Sequence, residues 1–200
     1  MAMKPQSFIF IGRSGCGKGT QVELLIKALK EKDTERGTLY IQTGHEFRKF
    51  IAGSSVTQEK SRHVYEHGGL QPEFLTVHMW VNPLVEYYNG KDYLIFDGTP
   101  RKHHEAGVLH SIFEFYGFEK PTVIYINISP EEALKRLLKR KRMDDVEEEI
   151  KKRLSWYESD VVPTLDYYRH NPAYTFLEID GERSVEEIRG EIAGKIGLKN

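Results

Sequence analysis

The chain has 200 residues, 39% of them hydrophobic and 30% charged, with a net charge of −1. These values suit one globular domain that buries roughly 70% of its extended surface, and they give no general attraction to nucleic acid or anionic membrane. The single cysteine, Cys16, excludes an internal disulfide and a cysteine-based zinc site. No apolar run approaches the ~18 residues of a membrane span. The opening MAMKPQ is too short and polar for a signal peptide, so a cytoplasmic location is expected.

The first predicted strand is the apolar run Ser7 to Ile11. It leads into G-R-S-G-C-G-K-G-T, Gly12 to Thr20, and then into a helix marked by Val22, Leu25, Ile26 and Leu29. Strand, glycine loop and helix in that order make an anion cradle. Gly12, Gly15, Gly17 and Gly19 permit backbone shapes that turn N–H groups inward, and Lys18 reaches the β- and γ-phosphates of a nucleotide. The spacing Gly12-x4-Gly17-Lys18 fits the P-loop pattern, with the hydroxyl one residue late at Thr20. Cys16 sits near Lys18 and a helix N-terminus, where thiols tend to ionise more readily.

Further strands are predicted at Leu39–Ile41, Tyr93–Phe96, Val123–Ile128 and Tyr174–Ile179. Y-L-I-F and V-I-Y-I-N-I lack polar alternation, as strands covered on both faces do. Strands that alternate with helices imply a doubly wound parallel sheet, with ligands beyond its carboxyl edge. After the second strand comes Q-T-G-H-E-F-R, Gln42 to Arg48. Residues 54–68 read as a polar helix. Gly68-Gly69-Leu70-Gln71-Pro72-Glu73 then opens a helix that runs to Tyr88, where Asn89-Gly90 stops it. The third strand ends in Asp97-Gly98-Thr99-Pro100-Arg101. After the fourth, Ser129-Pro130-Glu131-Glu132 caps a helix that passes through Leu134, Leu137 and Leu138 into Lys139-Arg140-Lys141-Arg142. Met143-Asp144-Asp145 and a further helix through Arg153 follow. Ser184 to Glu187 is a capping box for the last helix. His63 with His67, and His103 with His104, lack a third ligand and are not assigned a metal.

Taken together these motifs resemble the nucleoside monophosphate kinases, adenylate kinase above all. G-K-G-T-Q at 17–21 is similar to that family's phosphate loop. Thr43, Gly44 and Arg48 match T-G-D-x-x-R, with His45 in place of its aspartate. The turn at 68–73 looks like G-x-L-V-P-[DE], and residues 97–101 like D-G-[FY]-P-R with Thr99 in place of the aromatic. Arg136, Arg140, Arg142, Arg153 and Tyr157 match the lid pattern, with Asp144-Asp145 as its paired acids. I-D-G-E-R-S-V-E-E-I at 179–188 fits the closing segment. The resemblance covers about residues 7 to 196.

The resemblance implies a three-layer α/β/α P-loop kinase with a five-stranded parallel sheet, a small helical monophosphate-binding insert and a very short lid. The implied limits are a core of 1–42, 74–138 and 144–200, an insert of 43–73 and a lid of 139–143. It also implies reversible transfer of a phosphoryl group from MgATP to a monophosphate, AMP first. Gly15, Cys16, Gly17, Lys18, Gly19 and Thr20, with Arg136 and Arg140, would bind ATP. Thr43, Gly44, Arg48, Gly98, Arg101 and Glu105, with Arg142 and Arg153, would bind the monophosphate. Glu105 stands where adenylate kinases carry a base-reading glutamine, and an ionised glutamate offers no donor. Lys18, Arg101, Arg136, Arg140, Arg142 and Arg153 would stabilise the transferring group. Mg2+ would sit near Thr20 and Asp97, mainly through water. Only Lys141 separates Arg140 from Arg142, which leaves no room for a zinc-carrying lid and predicts less complete exclusion of water. A monomer is implied, with neither nucleic acid nor membrane as partner. The rival readings are a uridylate/cytidylate-type kinase and a nucleotide-binding regulatory protein.

Overall fold

Runs of β-branched and aromatic residues form strands here because helices cover both of their faces. The computed structural model describes residues 6–140 and 146–198. Five strands, β1 (Ser7–Ile11), β2 (Thr38–Gln42), β3 (Tyr93–Asp97), β4 (Thr122–Asn127) and β5 (Thr175–Asp180), lie in the order β2-β3-β1-β4-β5. Every pairing is parallel. The register sets Ile9 beside Phe96 on one side and Val123 on the other. All five residues of β1 and of β3 are buried, as their unalternated sequences predict.

Successive side chains feed opposite layers. Phe8, Phe10, Ile95, Ile124 and Ile126 pack with Val22, Leu25 and Leu29 of α1 (Lys18–Lys32), and with Ala133, Ile188 and Ile192. Ile9, Ile11, Leu94, Phe96 and Val123 pack with Trp80, Leu84, Leu109, Phe113, Leu165 and Tyr168. The helices of that second layer are α4 (Glu73–Tyr87), α5 (His103–Tyr116) and α8 (Val162–His170). The result is the three-layer α/β/α arrangement, with one core on each side of the sheet.

Between β2 and α4 stand α2 (Thr43–Phe50) and α3 (Val56–Glu66). Phe47 anchors this segment on Leu75 and Met79 of α4. After β4, α6 (Pro130–Arg140) starts where the sequence places it, and the Ser129 hydroxyl accepts from the Glu132 N–H at 3.3 Å. α7 (Glu147–Trp156) passes into a π-helical turn at Tyr157–Val161 before α8. α9 (Val185–Lys195) has the predicted capping box: Ser184 Oγ accepts from the Glu187 N–H, and Glu187 accepts from the Ser184 N–H. Residues 141–145, which hold Arg142, Asp144 and Asp145, lie outside the described residues.

Candidate active site at the carboxyl edge of the sheet

The phosphate loop leaves β1 at Gly12, which lies so close to the Ile126 carbonyl and Cys16 Sγ that a Cβ would collide with both. Gly17 takes a left-handed conformation (φ 94°) and caps the start of α1, a shape that costs other residues energy. The first N–H groups of α1 have no intrahelical carbonyl to bond and carry the helix's partial positive charge. Gly19 differs from expectation: it lies inside α1 with no positive φ. A Cβ there would make only an ordinary contact, 3.8 Å from Gln42 Nε2, so neither shape nor space in this structure requires the glycine.

Lys18 Nζ donates to the carbonyls of Gly12 (2.7 Å) and Arg13 (3.1 Å), so the ammonium rests on its own loop. Cys16 is 2% exposed and packs into the core beneath the loop; its side chain does not line the cleft above. Sequence reasoning missed Arg13. Its guanidinium donates to the Ile128 carbonyl at 3.0 Å, pairs with Glu158 and lies 4.3 Å from the centre of the Tyr157 ring. It therefore ties the phosphate loop to the end of β4 and to the π-helical turn.

Asp97 ends β3 beside this loop. The Tyr40 hydroxyl (2.9 Å) and the Gln42 amide (3.2 Å) both donate to its Oδ2, and Gln42 also donates to Tyr40 Oη at 2.9 Å. Burial and the Asp97 charge push the Tyr40 phenol well above its ordinary range, so it stays a donor. A carboxylate held at one oxygen and the exposed Thr20 hydroxyl both face the cleft. This is a hard-oxygen donor set of the kind that fits hydrated magnesium.

The cleft has a volume of about 410 Å³. Gly15, Gly17, Lys18, Gly19, Thr20, Gly44, Arg48, Asp97, Gly98, Arg101, Arg140 and Arg153 all line it, as do Tyr65, Gln71 and Trp156. Among the described residues, five lining side chains are cationic (Lys18, Arg48, Arg101, Arg140 and Arg153) against two carboxylates, Glu23 and Asp97. That excess of cations suits a highly charged anion. A larger groove, about 640 Å³, runs between α1 and α9. It lacks a glycine cradle and converging guanidiniums, so the chemistry places the site in the smaller cleft.

Arg101 Nε donates to the Gly98 carbonyl at 2.9 Å. Burial weakens its hold on the proton, while Glu105 and Asp97 strengthen it. Arg136 is turned elsewhere: its Nε donates to Glu132 at 2.7 Å, and it does not line the cleft. Thr43 starts α2, is 1% exposed and also lies behind the lining.

Glu105 is placed unlike a base-reading residue. It is 1% exposed, and its Oε2 accepts from the Arg101 N–H at 2.7 Å and the Lys102 N–H at 3.4 Å. The carboxylate caps α5 and fixes the backbone of Arg101. Burial raises its pKa, opposed by those two N–H donors and by the Arg101 charge. A carboxyl raised in the fold stabilises it fully below the unfolded value near ~4.3 and loses that contribution as pH rises through the folded value. Glu105→Gln keeps an acceptor oxygen and removes the buried charge. It is therefore expected to melt higher than the parent at pH 8, with the gain shrinking to nothing near pH ~4. Thermal melts across that range check this, and a difference that does not vary with pH would refute it.

The comparisons agree with this geometry. The family model described as adenylate kinase matches residues 10–173. Adenylate kinase 1 of Nostoc sp. is 32% identical over 189 residues, covering 94% of this chain and 97% of its own. The adenylate kinase of Parabacteroides distasonis is 34% identical over 188 residues, covering 92% and 94%. That of Thermus thermophilus is 29% identical over 197 residues, covering 96% and 98%. With the phosphate loop, the carboxylate and the converging arginines set around one cleft, the chain belongs to the adenylate kinase family and is a nucleoside monophosphate kinase.

Proposed function

We propose that the protein moves a phosphoryl group reversibly between ATP and AMP (ATP + AMP = 2 ADP). The observation that carries this reading is one cleft that joins the phosphate loop to two further sets of arginines. Lys18 and the N–H groups at the start of α1 hold the donor phosphates, beside Gly15, Gly17 and Gly19. Arg48 and Arg101 hold the acceptor phosphate from the opposite wall, and Gly44, Gly98 and Thr43 shape that wall. Arg140 and Arg153 neutralise charge on the oxygens in transit. Transfer of this kind needs no covalent intermediate: position and fixed positive charge do the chemistry. Magnesium, held by the Thr20 hydroxyl and through water by Asp97, would neutralise charge on the donor phosphates. The Tyr40 and Gln42 donors keep the Asp97 carboxylate in one orientation for that task.

Arg136 enters this reading only if it leaves Glu132, and Glu105 acts through the backbone of Arg101 rather than on the base. The insert of 43–73 is the acceptor flap, and the protein acts as a monomer in the cytoplasm. No helix among the described residues is long and apolar enough to cross a membrane. A uridylate/cytidylate preference is not favoured by the match to the adenylate kinase family model. A regulatory protein without transfer has no need of so many arginines around one cleft.

The test is a coupled assay of ADP formed from MgATP with AMP, CMP, UMP, GMP or dTMP. Rapid turnover with AMP and little with the others is expected. Preference for another base would overturn the acceptor assignment, and no transfer to any of them would overturn the reaction itself.

A further inference from the structure

Trp156 joins parts of the molecule that no local sequence pattern connects. It is the last residue of α7, immediately before the π-helical turn, and it lines the cleft. Its ring lies 5.4 Å from the Arg101 guanidinium carbon, within cation–π range. Its indole Nε1 donates to the Gly68 carbonyl at 3.1 Å, across 88 positions of sequence. Gly68 closes the segment that follows α3 and takes a left-handed conformation (φ 63°). A Cβ there would meet the Glu149 carbonyl oxygen at 2.8 Å. The end of α3 is thus pressed against α7, and the tryptophan holds the contact.

We propose that Trp156 is a positioning residue of the acceptor site. Its face holds the Arg101 guanidinium at the cleft wall, and its N–H tethers the exit of the α2–α3 insert at Gly68. The inference rests on the reading of Arg101 as an acceptor-phosphate ligand. The geometry accounts for the choice of side chain. Arg101 spends its Nε on the Gly98 carbonyl, so the remaining guanidinium needs a neighbour that restrains it without competing for its other N–H groups. An aromatic face does that, whereas a carboxylate would take the donors meant for phosphate. The indole adds a donor at the ring edge, and that donor reaches the insert.

Two variants separate the two functions of the ring. Trp156→Phe keeps an aromatic face and loses the donor; Trp156→Leu loses both. KM for AMP is expected to rise about threefold to tenfold in the first, by analogy with one lost hydrogen bond. It is expected to rise about thirtyfold in the second, as the cation–π contact goes too. KM for ATP should stay within about twofold of the parent in both. The other tryptophan, Trp80, is fully buried in the core, so AMP added alone should change the parent's indole fluorescence and leave that of Trp156→Phe unchanged. A fall in melting temperature with both KM values unmoved would overturn the proposal, as would equal rises for AMP and ATP. A parent enzyme that binds AMP but transfers nothing to it would instead remove the reaction and leave the positioning claim to the fluorescence titration, where a signal retained by Trp156→Phe overturns it.

Discussion

Lys18→Ala is expected to lower kcat/KM by roughly 10²–10³, about 3–4 kcal/mol of transition-state stabilisation, with little change in melting temperature. The size follows from where the ammonium rests. Within the loop Lys18 donates to two neutral carbonyls, Gly12 at 2.7 Å and Arg13 at 3.1 Å. Neither bond is deeply buried, and both acceptors can turn to water when the lysine is removed, so the fold loses little. A triphosphate offers the same ammonium several charged oxygens, and the charge it must balance spreads further as transfer proceeds. The alanine variant therefore keeps its structure and loses rate. Steady-state kinetics with MgATP and AMP, run beside a thermal melt, separate the two effects. Near-normal turnover in Lys18→Ala would sink the assignment of this loop.

Legibility in the sequence follows the range of the contacts. The five strands were readable from short runs rich in β-branched and aromatic residues; β1, β3 and the centre of β4 are buried, as Y-L-I-F and V-I-Y-I-N-I suggest, whereas β2 and β5 are mostly half-buried or exposed. The phosphate loop and the Ser184–Glu187 cap were readable because they are made within a few residues of chain. Sequence reasoning missed α5 and α8, although Glu105 and the left-handed Gly117 bound the first and Pro163 opens the second; the π-helical turn carries no such mark. The side-chain partners were hidden for the same reason. Arg13 meets Glu158 across 145 positions, Tyr40 meets Asp97 across 57 and Trp156 meets Gly68 across 88. Glu105, expected at the acceptor base from the resemblance, is placed elsewhere. Its carboxylate turns from the cleft to two backbone N–H groups because a buried charge needs donors, and the start of α5 supplies them.

Arg101→Lys keeps one positive charge, yet it is expected to cost about 3 kcal/mol in kcat/KM for AMP, roughly 10²-fold. The guanidinium makes two kinds of contact at once. Its Nε is fixed on the Gly98 carbonyl at 2.9 Å, and its face lies against Trp156 at 5.4 Å. The outer nitrogens are left in a planar fork suited to two phosphate oxygens. A lysine ammonium has one centre and cannot hold the Gly98 carbonyl and a phosphate in that geometry together. Burial separates the two side chains further. It already works against the arginine's charge, with Glu105 and Asp97 in opposition, but a guanidinium remains protonated at any physiological pH. An ammonium at the same depth has its pKa lowered from ~10.4 by the same desolvation. As pH rises it loses its proton while the arginine does not, so the deficit of Arg101→Lys should widen from pH 6 toward pH 9. Profiles of kcat/KM for AMP and for ATP distinguish this from general damage. The AMP profile should fall away with pH, while the ATP constant, governed by the far wall of the cleft, should follow that of the parent. A lysine variant whose deficit is independent of pH, or equal for the two substrates, would remove Arg101 from the acceptor-phosphate site.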